Sequence, residues 1–279
     1  MEAARSGVRA LALSCHPLPT VAVTALSAGL AALAGLDVGT GLLLVAAVFT
    51  GQLSIGWSND AIDASRDART GRSDKPVATG GVGRRAVWTA AVVALVMTVA
   101  LSIPLGAGGA AALGVVACGW AYNLGLKSTW LSFLPYAIAF GLLPAAATLC
   151  LPGSPWPAPW AMAAGSLLGV AAHLLNVLPD LDDDLRTGVR GLPQRLGRRT
   201  TAVLGPVLLL VASGVIMAGP PGPPAAWTWV AAAILAVVAA TGVRVGLAGS
   251  RLRVLFLAAV LVAAGDLILF ALSGASLLE

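Results

Sequence analysis

The sequence predicts an all-α, polytopic membrane protein with nine transmembrane helices, and three observations predict it. The chain has 279 residues, 58% of them hydrophobic and 10% charged. Its mean hydropathy of +0.90 lies outside the balance of soluble globular domains. The apolar runs are about 18 to 22 residues long, close to the ~20 that a helix needs to cross the hydrocarbon core. The 17 basic residues all fall on alternate connections, and so on one side.

The first span, 18–36, follows a stretch carrying Arg5 and Arg9; with no small-residue cleavage site at signal-peptide distance it is read as retained. The second, 40–58, opens onto a long charged segment holding Arg66, Arg69, Arg72, Lys75, Arg84 and Arg85. Spans 86–104 and 109–126 follow, the latter closing at Lys127. Spans 131–150 and 160–178 are joined by PGSPWPAPW, which has no basic residue, and the sixth opens onto Arg186, Arg190, Arg195, Arg198 and Arg199. Spans 202–218 and 226–246 are joined by GPPGPPAAW, again without a basic residue, while Arg244, Arg251 and Arg253 lead to the ninth span, 254–272.

The positive-inside rule then predicts a cytoplasmic N-terminus, cytoplasmic charged loops and an external C-terminus, with Trp156, Trp160, Trp227 and Trp229 as an aromatic belt on the outer side. The whole chain, 1–279, reads as one integral membrane domain, expected in the plasma membrane with its active side toward the cytoplasm. The pI near 9.7 follows from this topology and is no argument for a nucleic-acid partner. Cys15, Cys118 and Cys150 lack ligand spacing and read as inert packing.

One polar phrase occurs twice in this apolar chain: DARTG at Asp67 to Gly71 returns as DLRTG at Asp184 to Gly188. At a constant offset of 117 residues the likeness extends from Asn59 with Asn176, through Asp63 with Asp180, to Gly80 with Gly197. Four membrane crossings separate the copies, so both emerge on the same face and can meet, as in many internally duplicated membrane proteins.

Within each copy the polar residues fall at helical spacing. Asn59, Asp63 and Asp67 lie within about 80° of one another on a helix, and Asn176, Asp180 and Asp184 repeat the pattern. Asp60 is close to the first face. Carboxylates so spaced repel one another unless a cation sits between them. A hard divalent ion such as Mg²⁺ suits carboxylate and amide oxygens and completes its shell with water and substrate phosphates; no His or Cys joins either cluster, which argues against zinc or copper. Arg66, Arg69, Arg72, Lys75, Lys127, Arg186 and Arg190 fringe the two stripes, and a diphosphate is the anion that best fits such a site.

These residues carry a resemblance. NDAIDASRD, Asn59 to Asp67, fits the NDxxDxxxD motif of the UbiA superfamily of intramembrane prenyltransferases, and DLDDD, Asp180 to Asp184, fits its second motif, DxxxD. GRSDKPVATG at Gly71 to Gly80 is similar to the family's basic-Pro-Gly loop, YNLGLK at Tyr122 to Lys127 to its fourth-helix segment, and nine spans is its usual count. The resemblance covers nearly the whole chain. The DGxxAR motif with a nearby DxxxD, which marks CDP-alcohol phosphotransferases, is absent.

The resemblance implies a prenyl diphosphate held through Mg²⁺ by Asp60, Asp63, Asp67, Asp180 and Asp184, with Asn59 and Asn176 in support. Arg72, Lys75, Lys127 and Arg190 are the expected diphosphate clamps. Trp57 and Tyr122 either shield a carbocation or pack. His173, one turn before Asn176, either takes a proton from the product cation or bonds a neighbouring helix. Asp266, inside the ninth span, is expected to have a structural partner or to reach the outer interface. The expected activity is transfer of the prenyl group to an acceptor, typically aromatic, with release of pyrophosphate and with the prenyl tail among the helices or in the lipid bilayer. A terpene cyclase on the same scaffold, a phosphoribosyl-type transfer to a lipid phosphate, and a transporter are the alternatives.

Overall fold

The structure is a computed structural model that describes residues 2–69, 75–224, 226–247, 258, 260–268 and 276–278; among them every regular element is helical. The first element was not predicted from the apolar runs. Glu2–Leu13 forms α1, only 12 residues long and far short of a span. So short a helix is marginal alone, but its last turn is tied down by Trp57, whose indole N–H donates to the Leu11 carbonyl at 2.9 Å. The chain bends by 60° into α2 (Pro17–Leu33), which begins on proline, where the missing N–H has no helical partner to lose.

α3 (Val38–Arg69) runs unbroken for 32 residues, about 48 Å at 1.5 Å per residue, and so carries its polar end well past the expected limit at 58. The apolar run Arg84–Leu124 is folded back on itself as α4 (Arg84–Ser102) and α5 (Gly106–Leu124). A 3₁₀ turn at Ile103–Leu105 and Gly106, at φ 57°, make the fold. Trp88 and Trp120, near opposite ends of the sequence run, consequently meet at 6.0 Å between ring centroids. Ser54 donates to the Ala91 carbonyl at 2.9 Å and accepts from Trp120 Nε1 at 3.1 Å, so α3 is pinned between α4 and α5.

α6 (Leu134–Thr148) and α7 (Pro159–Val177) pack with their backbones close together. Gly165 and Gly169 lie against the carbonyls of Phe140 and Tyr136, where any Cβ would overlap, the close approach that small residues permit in membrane bundles. Beyond α7 come a 3₁₀ turn (Leu178–Asp180), the short α8 (Leu181–Arg186) and α9 (Leu192–Ala218), which kinks at Gly197 (φ 80°, ψ 165°). α10 (Ala226–Leu247) follows. The first eight expected spans each coincide with a helix, and the ninth is described only at 258 and 260–268, where it is helical.

By length and hydropathy Val38–Arg69, Pro159–Arg186, Leu192–Ala218 and the folded-back run Arg84–Leu124 each hold a stretch apolar enough to cross a membrane, and α6, at 15 residues, is apolar but shorter. One buried apolar cluster centres on Leu44, Ala112, Leu143 and Ala147, joining α3, α5 and α6; a second centres on Leu175, Leu178, Ala202 and Val262, joining α7, α9 and the last helix.

Candidate functional site

Because α3 continues through Arg69, Asn59, Asp60, Asp63 and Asp67 form the helical stripe that their spacing predicts. The second copy departs from prediction. Pro179 has no N–H to continue the ladder, and α7 gives way to the 3₁₀ turn, so Asn176, Asp180 and Asp184 stand on three successive elements. The two copies still border one cavity of about 530 Å³, with Asn59, Asp63 and Asp67 facing it from the first and Asn176, Asp180 and Asp184 from the second. Its remaining wall is largely apolar, including Val23, Leu26, Leu143 and Leu168.

The first copy is densely ion-paired. Lys127 Nζ lies 2.5 and 2.6 Å from the two oxygens of Asp63. Arg66 donates to Asp63 Oδ2 at 2.8 Å, and its Nε is 3.7 Å from Asp67 Oδ1. Asp60, 2% exposed, does not border the cavity. Its Oδ1 accepts from Lys75 Nζ at 2.6 Å and from His16 Nε2 at 2.9 Å, and it is His16 and Lys75 that face the cavity. Asn59 donates to Asn123 Oδ1 at 3.1 Å, while the Asn123 amide donates to the Ile55 carbonyl and Ser58 Oγ, both at 2.9 Å.

In the second copy, Gln194 Nε2 donates to Asp184 Oδ2 at 2.8 Å. Asp184 lies on α8, at the end of the run that begins with α7. Asp182 and Asp183 point away, into exposed pairs with Arg198 at 2.6 Å and Arg186 at 3.3 Å. Among the described residues no three His, Cys, Asp or Glu side chains converge closely enough to hold a metal ion by themselves.

Of the other predicted residues, Tyr122 borders the cavity and meets Tyr136 edge-on at 5.2 Å. His173 is 1% exposed and does not face the cavity. Its Nε2 is 3.0 Å from Ser132 Oγ, in the turn before α6, and that hydroxyl also accepts the Leu192 N–H at 2.8 Å. Trp57 acts as the tether to α1. Arg190 is exposed and away from the cavity, with its carbonyl accepting from Arg195 Nε at 2.9 Å. Asp266 is buried and accepts from Ser213 on α9 at 2.9 Å. Arg72 lies outside the described residues.

His16, Asn123 and Gln194 are not singled out by spacing. Asn123 sits within YNLGLK and could have been found there. His16 has no local signal, being 44 residues from the carboxylate that it binds.

The model of the UbiA prenyltransferase family matches residues 19–253. No curated protein matches significantly. A solved UbiA homolog from Aeropyrum pernix K1, in apo form, is similar with a TM-score of 0.73 at 19% identity, over 91% of this chain and 97% of its own. A UbiA homolog from Archaeoglobus fulgidus, bound to GPP and Mg²⁺, has a TM-score of 0.70 at 13% identity, over 94% and 99%. A structure concerned with digeranylgeranylglyceryl phosphate synthase in membranes has a TM-score of 0.63 at 14% identity, over 96% and 100%. At these identities the likeness to the solved structures is one of fold.

Proposed function

This chain belongs to the UbiA prenyltransferase family, and we propose that it transfers a prenyl group from a prenyl diphosphate to an aromatic acceptor within the membrane, releasing pyrophosphate. The observation that carries this reading is the single chamber whose polar end gathers carboxylates from both motif copies with Lys75, Lys127 and Arg66, and whose remainder is apolar. That division matches a ligand with a highly charged head and a hydrocarbon tail. The polar end is read as cytoplasmic, since it lies with the basic connections.

The donor set fits Mg²⁺. Asp63, Asp67, Asp180 and Asp184, with the amides of Asn59 and Asn176, offer the cavity hard oxygens. These residues would hold the ion against the diphosphate, as the A. fulgidus homolog's bound GPP and Mg²⁺ suggest by analogy. Asp60 instead holds Lys75 and His16 at the rim. When bound, Mg²⁺ neutralises the charge that builds on the diphosphate as the allylic C–O bond breaks.

The chain's own residues do the rest. Lys75 and Lys127 are placed to donate to phosphate oxygens, and their pairing with Asp60 and Asp63 keeps them oriented before the ligand arrives. Asn123 fixes the Asn59 amide. Tyr122 and Tyr136 border the chamber and present π-systems to a developing allylic cation. The apolar wall keeps out water that would capture that cation.

Purified protein in nanodiscs, given geranyl, farnesyl or geranylgeranyl diphosphate with 1-naphthol, tests the reading. Mg²⁺-dependent pyrophosphate release with a prenylated naphthol is expected, and both vanish in an Asp63→Ala, Asp180→Ala variant. Release accompanied by a cyclic hydrocarbon and no naphthol adduct would replace the transferase reading with a cyclase. No release from any donor would contradict both.

A further inference from the structure

The corner between α1 and α2 is built with more care than a connection requires. His16 sits at φ 55° and ψ 69°, a left-handed region that few non-glycine residues occupy and that persists where the surroundings over-determine it. Here they do. A Cβ on Gly56 would overlap the Cys15 carbonyl, so α3 and the corner touch backbone to backbone. Thr20 donates to that carbonyl at 2.9 Å, Trp57 holds the Leu11 carbonyl at 2.9 Å, and Asp60 receives His16 itself. The result is an imidazole, its side chain 38% exposed, fixed on the wall of the substrate cavity.

Lys75 Nζ and His16 Nε2 address the same oxygen of Asp60 and lie 3.1 Å apart; we assign the imidazole proton to Nε2, where the Asp60 carboxylate at 2.9 Å is the stronger acceptor, so that Lys75 and His16 are two donors on one oxygen. With Nε2–H fixed on a carboxylate, a neutral imidazole offers Nδ1 as a hydrogen-bond acceptor. No hydrogen bond to Nδ1 is present among the described residues. A lone pair at this rim is a poor match for phosphate oxygens, which are acceptors themselves, and a good match for a hydroxyl. Lys75 and Lys127 already supply donors for the diphosphate.

We propose that His16 recognises the acceptor substrate, its Nδ1 accepting a hydrogen bond from a hydroxyl on the aromatic ring to be prenylated, and that Asp60 is the residue that orients it. This assignment rests on the transferase reading above and narrows the acceptor to a phenol. His16 then acts as a specificity-determining residue held by α3, and Asp60 acts through it.

The test compares 1-naphthol with its methyl ether, 1-methoxynaphthalene, in the full-length protein with farnesyl diphosphate and Mg²⁺. The variant is His16→Gly, because glycine adopts the corner's positive φ without strain; Asp60→Asn is the second variant, and a thermal melt checks that each is folded. Wild-type protein is expected to favour the phenol by about tenfold in kcat/KM, the scale of one hydrogen bond, and His16→Gly to reduce that preference to about twofold or less. Asp60→Asn shifts it in the same direction, and farnesyl diphosphate affinity, measured by titration calorimetry, stays within about twofold in His16→Gly. Equal preference in wild type and His16→Gly overturns the assignment while leaving the transferase reading in place. A parallel fall in farnesyl diphosphate affinity also overturns it, placing His16 among the diphosphate clamps. If the wild type binds farnesyl diphosphate but prenylates neither probe, the transferase reading fails and the recognition role falls with it.

Discussion

The two copies of the aspartate phrase look alike in sequence and are used differently. In the first, one unbroken helix carries the whole stripe; Asp60 meets the Lys75 ammonium and the His16 imidazole, and Asp63 meets Lys127 and Arg66. In the second, a 3₁₀ turn at Pro179 interrupts the helix, and Asp184 is met by the neutral amide of Gln194. The two carboxylate sets match in sequence, but the side chains around them differ. One side is compensated and rigid without a ligand; the other gains most from an arriving cation.

Substitutions that separate fold from function sharpen this contrast. The largest effect is expected for Asp63→Ala, which leaves Lys127, only 10% exposed, without its carboxylate. Breaking a buried pair in this way costs about 3–5 kcal/mol, so both the melting temperature and pyrophosphate release should collapse. Asp184→Asn should instead reduce release by at least ~10²-fold while stability holds within about 1 kcal/mol, or rises, because a buried charge is removed without stranding a cation. A melt of Asp184→Asn as damaged as that of Asp63→Ala would erase the asymmetry.

Smaller effects follow. A Cβ on Gly191 would lie 2.5 Å from the Lys127 carbonyl, 2.8 Å from Ser132 Oγ and 2.9 Å from Gln194 Oε1. Gly191→Ala should therefore disturb both copies at once and cost about 1–3 kcal/mol by overpacking, readable by thermal melt. Arg198→Ala removes only an exposed pair with Asp182. Stability and activity should both stay within about 0.5 kcal/mol of wild type, which a denaturation series can check.

What the sequence made legible was what repeats or has length. Apolar runs of span length marked eight of the helices, and i, i+4, i+8 spacing placed Asn59, Asp63 and Asp67 on one face. Three features escaped for identifiable reasons. α1 is short and amphipathic, so no apolar run announces it. The break at Pro179 turned a predicted continuous stripe into three elements, although the proline was there to be read. Asp60, which the resemblance implies as a metal-holding carboxylate, is buried under His16 and Lys75, and a contact to His16 across 44 residues leaves no periodic trace. Arg190 stands beside the second copy in sequence, but that part of the chain turns it out to solvent.

The central claim is that both copies serve one Mg²⁺–diphosphate site. Titration calorimetry of farnesyl diphosphate, with and without Mg²⁺, on wild-type protein, Asp63→Asn and Asp184→Asn tests it most directly. The account predicts Mg²⁺-dependent binding by the wild type and its loss, by at least about tenfold in Kd, in each single variant. Binding that survives removal of either carboxylate would contradict it.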